Sequence, residues 1–137
     1  KNPKYSFAPI DIYKFFSKKI IDLVNAGVKK SNIVVDPGIG FGKTLYDNLN
    51  ILKYLTLFHG LGVPILIGAS RKSLIAELTN NDNELRGKNK KDISPSKRLS
   101  GSLAFAIHAN MCGVQILRTH DVFETNQALI CQKSLDL

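Results

Sequence analysis

Cysteine is scarce in this 137-residue chain. Only Cys112 and Cys131 are present, with no C-x-x-C pair and no histidine at ligand spacing. A disulfide framework and a common zinc site are thereby excluded, and the two thiols are expected to be buried in a reducing compartment. No apolar run approaches the ~20 residues of a membrane span, and no apolar signal core opens the chain. A cytoplasmic protein with no membrane partner is the expectation. Methionine is scarcer still: Met111 is the only one, so the sequence does not open at a translational start and is expected to be a piece of a longer chain or a trimmed one. Acidic residues are also few, 11 against 19 Lys and Arg, for a formal net charge of +8. That balance suits nucleic acid, an anionic surface or a small phosphorylated substrate. Six of the basic residues (Arg86, Lys88, Lys90, Lys91, Lys97 and Arg98) lie between Asn80 and Arg98. No aromatic residue is interleaved there to stack on bases, so no nucleic-acid partner is expected.

Glycine, by contrast, is concentrated. The stretch "DPGIGFGKT", Asp36 to Thr44, sets glycines beside a lysine as nucleotide-binding loops do. A P-loop ending at Gly42-Lys43-Thr44 needs glycine at position 37, which is Pro37. A dinucleotide fingerprint starting at Gly38 and Gly40 needs a third glycine at position 43, which is Lys43. Both patterns fail by one residue, so the loop serves some other ligand or a structural end.

Three short apolar runs read as strands: "NIVVD" from Asn32, "PILIG" from Pro64 and "VQILR" from Val114. The first two are almost continuously apolar, as strands of a parallel sheet covered on both faces are. Helical spacing surrounds them. Ile12, Phe16, Ile20, Leu23 and Val24 form one stripe, with Pro9 near its start and Gly27 just past its end. Leu45, Leu49, Leu52 and Leu55 form another, opened by Thr44 as an N-cap with Asp47 three residues on. Leu99, Leu103, Ile107 and Met111 form a third, after Ser94-Pro95 and before Gly113. Asp121 to Glu124 resembles a capping box opening a last helix to about Leu135. A short helix is expected at about Lys72 to Leu78, and residues 80–98 read as a polar loop insertion. The order is α-β-α-β-α-β-α, an α/β fold with three parallel strands and flanking helices.

Ligands of parallel α/β folds bind at the carboxyl ends of the strands, and the polar residues of this chain gather there three times. Asp36 and the glycine run follow the first strand. Gly68, Ser70, Arg71, Lys72 and Ser73 follow the second, and Arg118, His120 and Asp121 close the third. An arginine fork, a lysine point charge and a histidine suit an anionic group, while an acceptor-only Asp36 suits a ring with adjacent N–H donors. Taken singly, Asp36 could fix a turn, Phe41 could be core, and His120 could make a local hydrogen bond. Arg71 and Lys72 at a helix start oppose its dipole, a conflict that a bound anion would relieve. His59 and His108 read as structural or exposed, and Asp121 as a cap.

"DPGIGFGKT", "GASRKS", "RLSGSLA" and "LRTHDVFET", in that order, resemble the carboxyl-terminal half of the dihydropteroate synthase family. The opening "KNPK" and the helix ending "NAGVKK" resemble the segment after that family's fifth barrel strand. The resemblance implies a (β/α)8 TIM barrel of ~250 residues, with residues 1–137 a partial pterin-binding domain holding the last three strands. It implies a transferase of folate biosynthesis that condenses 6-hydroxymethyl-dihydropterin pyrophosphate with para-aminobenzoate and releases pyrophosphate. By motif, Asp36 would accept from the pterin ring, Phe41 would pack near it and Gly68 would line the pocket. Lys72 would touch the pterin and aminobenzoate region, Ser73 the aminobenzoate carboxylate, Arg118 the pterin and phosphate, and His120 the pyrophosphate; Lys72, Arg118 and His120 would be the catalytic group. Mg2+ is implied as cofactor, with its asparagine ligand on a first strand that has no counterpart here. The chain alone is therefore expected to be nearly inactive without the amino-terminal half or a homo-oligomer partner. The alternative is a non-catalytic pterin-binding remnant or regulatory module; the pterin-binding domains of corrinoid methyltransferases would not be expected to carry this S-R-K-S and R-x-H-D pair.

Overall fold

In a computed structural model describing residues 4–81 and 93–135, the three apolar runs lie side by side and parallel. The middle of the expected polar insertion, residues 82–92, lies outside the described residues. Leu66–Ile67 (β1) pairs with Ile116–Leu117 (β2), Leu66 opposite Ile116 and Ile67 opposite Leu117. On the other side of β1, Val35 makes one parallel bridge to Ile65. Its N–H donates to the Pro64 carbonyl at 3.0 Å, and its carbonyl accepts from Leu66 N–H at 2.8 Å.

The first apolar run thus yields a bridge where a strand was expected. The ladder cannot lengthen in either direction, because Lys30–Asn32 is wound into a 3-10 turn just ahead and Pro37 has no N–H to offer just behind. Side chains alternate across a strand. Val35, Ile65 and Ile67 are buried beneath the helices, whereas Val34, Leu66 and Ile116 face the other way, in line with Asp36, Gly68 and Arg118. On that second face Val34 is 47 % exposed and Ile116 37 %.

Helix α1 (Ala8–Asn25) has Pro9 in its first turn and ends at Ala26 and Gly27, the latter left-handed at φ +92°. The Asp11 carboxylate of its first turn reaches back to the residues just ahead of the helix, accepting from Ser6 N–H at 2.8 Å and Phe7 N–H at 3.2 Å. Helix α2 (Leu45–Lys53) opens on the capping box the sequence signals, with Asp47 N–H donating to Thr44 Oγ1 at 3.1 Å and Thr44 N–H to Asp47 Oδ2 at 3.0 Å. A 3-10 segment, Leu55–Leu61, carries the chain on to β1. Ile51, Leu55, Phe58, Ile65, Ile39 and Leu74 are the centre of the core.

Helix α3 (Ser73–Asn81) follows β1, and a 3-10 turn, Pro95–Arg98, leads into α4 (Leu99–Met111). The stripe Leu99, Leu103, Ile107 and Met111 is not the face α4 buries. Its buried residues are Ser102 and Ala109, and Met111 is 68 % exposed. Small residues let the helix axis approach: a Cβ on Gly101 would stand 2.4 Å from Ile75 Cγ2 of α3. Helix α5 (Val122–Lys133) closes the described chain against α4. Cys112 is half-buried and Cys131 exposed, both free, so the expectation of two buried thiols is not met. Among the described residues no helix is long and apolar enough to cross a membrane.

Candidate functional site

The glycine run after the first apolar run is built by three left-handed residues, Gly38, Gly40 and Gly42, at φ +70°, +77° and +60°. Alternating left-handed positions are strained for any L side chain. Asp36 starts the turn, its Oδ1 accepting Gly38 N–H at 2.8 Å. Lys43, the residue that suggests a P-loop, turns inward and donates to the carbonyls of Gly38 at 2.9 Å and Phe41 at 3.3 Å. Burial pushes its pKa down, against the opposing pull of Asp36 and Asp47. It is a strut of the loop. Asn48, which sequence reasoning missed, is the second strut: buried in α2, it accepts from Gly40 N–H at 2.8 Å and donates to the Thr44 carbonyl at 2.9 Å. The signal for it was an amide on the buried face of a helix, one turn after the cap.

Of the residues expected at the three strand ends, Asp36, Phe41, Gly68, Lys72 and Arg118 lie against one another. Gly68 is buried beneath the Arg118 guanidinium; a Cβ there would lie 2.5 Å from Nη2. Arg118 Nη2 stands 3.7 Å from Asp36 Oδ2, a half-exposed pair. Lys72 Nζ sits over the Phe41 ring, 3.8 Å from its centroid, and the aliphatic stem of Lys72 runs past Gly40. Burial lowers the Lys72 pKa, the Arg118 charge lowers it further, and Asp36 opposes both. Phe41 is 58 % exposed and so presents an open flat face, not the core role open to it from sequence. Ser73 is the exposed first residue of α3, and its side chain has no partner among the described residues.

Two expectations are corrected. Asp121 stands at the N-cap position of α5 but makes no side-chain cap. Its carboxylate instead grips Arg71, with Oδ2 accepting from Nε at 3.0 Å and Oδ1 from Nη2. The hydrogen bond to Arg71 holds Asp121 below the usual carboxylate range, against burial, and raises Arg71 in turn. Arg71 is therefore committed within the protein rather than waiting for an anion. Its backbone is the one left-handed non-glycine described, at φ +56°. Two residues of "RLSGS" hold it so: Ser102 Oγ accepts Arg71 N–H at 2.9 Å, and Arg98 Nη1 donates to the Arg71 carbonyl at 2.9 Å. His120 Nδ1 lies 3.0 Å from Ser70 Oγ, which also accepts His120 N–H at 3.2 Å. His59 and His108 bind the carbonyls of Cys112 and Leu52, each at 2.8 Å, and take structural roles.

Around Asp36, then, stand two cations able to face an anion, Arg118 and Lys72, with a flat ring beside Lys72; His120 follows Arg118 by two residues and is held by Ser70. That arrangement can receive a planar donor-bearing ring attached to a phosphate. It offers no metal cage: among the described residues no group of three or more His, Cys, Asp or Glu could hold an ion.

Comparison with known proteins shows the family. The pterin binding enzyme family matches residues 2–120, and the chain belongs to it. Within that family it is similar to dihydropteroate synthases. The enzyme of Escherichia coli (strain K12) is 41 % identical over 127 residues, covering 93 % of this chain and 41 % of that protein. That of Neisseria meningitidis serogroup C is 34 % identical over 137 residues, covering 99 % and 44 %. The solved dihydropteroate synthase of Xanthomonas albilineans in complex with 7,8-dihydropteroate superimposes with a TM-score of 0.86 at 34 % identity, covering 99 % of this chain and 48 % of that one. The same enzyme with 4-aminobenzoic acid also gives 0.86 at 34 %, covering 98 % and 45 %. This chain thus spans less than half the length of each of these relatives, and its α/β fold is that of part of their barrel.

Proposed function

We propose that this chain is the carboxyl-terminal part of a dihydropteroate synthase, supplying the last three strand positions of a (β/α)8 barrel. The observation that carries the reading is the meeting of Asp36, Lys72 and Arg118 at the carboxyl ends of the strands, with His120 two residues beyond Arg118, in a family member whose solved relatives hold a pterin product and 4-aminobenzoic acid. In the proposed reaction the carbon–oxygen bond between the pterin methylene and pyrophosphate breaks, and the pair of electrons leaves with the pyrophosphate. The amine nitrogen of para-aminobenzoate forms the new bond to that carbon and gives up a proton.

Such a reaction asks for stabilisation of negative charge on the leaving group more than for a strong base. Arg118 and His120 supply it as donors to phosphate oxygens, and Lys72, over Phe41, spans the pterin and aminobenzoate region. Asp36 accepts from the ring N–H groups, Gly68 leaves Arg118 room to lie flat, and Ser73 meets the aminobenzoate carboxylate at the start of α3. Among the described residues no donor set fits magnesium; the proposed enzyme would hold it with phosphate oxygens and groups elsewhere in the barrel, and no step here passes through it. The remaining strands come from a longer chain or from a partner. A cytoplasmic setting, with no nucleic-acid or membrane partner, completes the proposal.

The test is pyrophosphate release from the pterin substrate with para-aminobenzoate and Mg2+, comparing this chain with one extended by the upstream half. Activity in the extended form alone is expected. Activity in neither would replace the reading with a non-catalytic pterin-binding remnant, and full activity of the 137-residue chain would remove the need for an upstream half.

A further inference from the structure

Ser70 is nearly fully buried, yet it lies between two loops and touches one functional side chain. Its Oγ is 3.2 Å from His120 N and 3.0 Å from His120 Nδ1. A backbone N–H can only donate, so it occupies one lone pair of the hydroxyl oxygen. The hydroxyl has a single hydrogen, and among the described residues the acceptor in reach is Nδ1 of a neutral imidazole. Donated that way, the bond would leave the ring proton on Nε2, which has no partner among the described residues.

The two loops are also fixed to each other. Arg71, next to Ser70, and Asp121, next to His120, form the two-toothed ion pair described above. Arg71 is in turn held left-handed by Ser102 and Arg98 from the start of α4. Thr119 Oγ1 accepts Asp121 N–H at 3.2 Å and meets Thr125 Oγ1 at 3.1 Å, tying the far side of the histidine to α5. The backbone on both sides of the Ser70–His120 contact is therefore set by partners that are not ligand groups.

We propose that Ser70 is a positioning residue: it locks His120 as the Nε2–H tautomer, aiming a fixed donor at a phosphate oxygen of the ligand, while the Arg71–Asp121 pair holds the two loops at the spacing this requires. The ligand half of this statement rests on the function proposed above; the tautomer half does not. A hydrogen-bond donor held in advance costs no reorganisation when the anion arrives.

The experiment uses the 137-residue chain labelled with 15N at histidine, read by long-range proton–nitrogen spectra at a pH where the imidazoles are neutral, together with titration of inorganic pyrophosphate. Wild type is expected to show His120 as a single Nε2–H tautomer. In Ser70→Ala the ring is expected to average between tautomers, with the backbone amide spectrum otherwise kept and pyrophosphate affinity reduced on the order of ten-fold. Ser70→Thr, which keeps the hydroxyl, is expected to restore both. Wild-type His120 with its proton on Nδ1, or an alanine variant with unchanged tautomer and affinity, overturns the proposal. A wild type with the Nε2–H tautomer but no affinity for pyrophosphate upholds the positioning of the ring and overturns the assigned ligand, so the two failures separate.

Discussion

Gly68→Ala should damage ligand binding while sparing the fold, and the reason is a single distance. A Cβ at position 68 would stand 2.5 Å from Arg118 Nη2, 2.8 Å from Cζ and 3.2 Å from Nε, against ordinary contact from 3.4 Å upward. The guanidinium must then move by about 1 Å or swing away. Nothing in the backbone resists alanine, since Gly68 is not among the left-handed glycines, and alanine costs less entropy in an extended segment. The Arg118 side chain is 53 % exposed and its pair with Asp36 spans 3.7 Å, so losing that pair costs the fold at most about 1 kcal/mol. Binding is different. A hydrogen bond to a charged group contributes about 1.5–3 kcal/mol, so a displaced fork should weaken pyrophosphate roughly 10- to 150-fold. Calorimetric titration of pyrophosphate into wild type, Gly68→Ala, Arg118→Ala and the double variant reads this directly. If Gly68 acts through Arg118, its substitution changes nothing once Arg118 is gone. An equal loss in both backgrounds, or a large drop in thermal stability, would refute the reasoning.

Three further outcomes follow from the same contacts. Asn48→Ala leaves Gly40 N–H and the Thr44 carbonyl without their 2.8 and 2.9 Å partners, and urea denaturation should show a loss of about 1–3 kcal/mol; Asn48→Asp, which can still accept but not donate, should fall between. Gly101→Ala sets a methyl 2.4 Å from Ile75 Cγ2, an overpacking worth about 1–3 kcal/mol, and the loss should shrink when Ile75→Ala is added. Asp121 titrates below its ordinary value of 3.8 because of Arg71, so its contribution is complete above that value and fades as pH falls through the lower folded one. Denaturation midpoints of wild type and Asp121→Asn should differ at neutral pH and converge in strong acid; a gap that persists would show that the pair is not the source.

What could be read in the sequence was mostly local. Thr44 with Asp47, Pro9 and Gly27 mark helix ends within one turn of themselves, and the structure uses each as marked. The gathering of polar residues at three strand ends was legible because parallel sheets point all their carboxyl ends one way. What escaped depended on contacts across the fold. Ser70 meets His120, and Arg71 meets Asp121, across 50 residues each, so nothing nearby distinguishes a clamp from a ligand set or a cap. Helix α4 misled for another reason: it is apolar nearly all round, so a leucine stripe carried little information, and the small residues decided which side came close. The first apolar run was long enough in composition to be a strand, but Pro37 and the preceding 3-10 turn left it a single bridge.

The alternation of the strands links the site to what the proposed barrel still needs. Val34 and Asp36, Leu66 and Gly68, Ile116 and Arg118 are pairs two residues apart, so each apolar member shares a face with a ligand-site member. Any half-barrel that covers Val34 and Ile116, now 47 % and 37 % exposed, would close over Asp36 and Arg118 at the same time. Enclosure would strengthen their interactions with an anion by removing water. A charge on this face should therefore separate folding from assembly. Val34→Lys replaces an exposed side chain and should leave the stability of the 137-residue chain within about 0.5 kcal/mol. In the extended chain the same lysine would lie between strands with no partner for its charge, and should cost several kcal/mol and most of the activity. Equal tolerance of Val34→Lys in both lengths, measured by urea denaturation and pyrophosphate release, would mean that this face stays open and that the barrel reading is wrong.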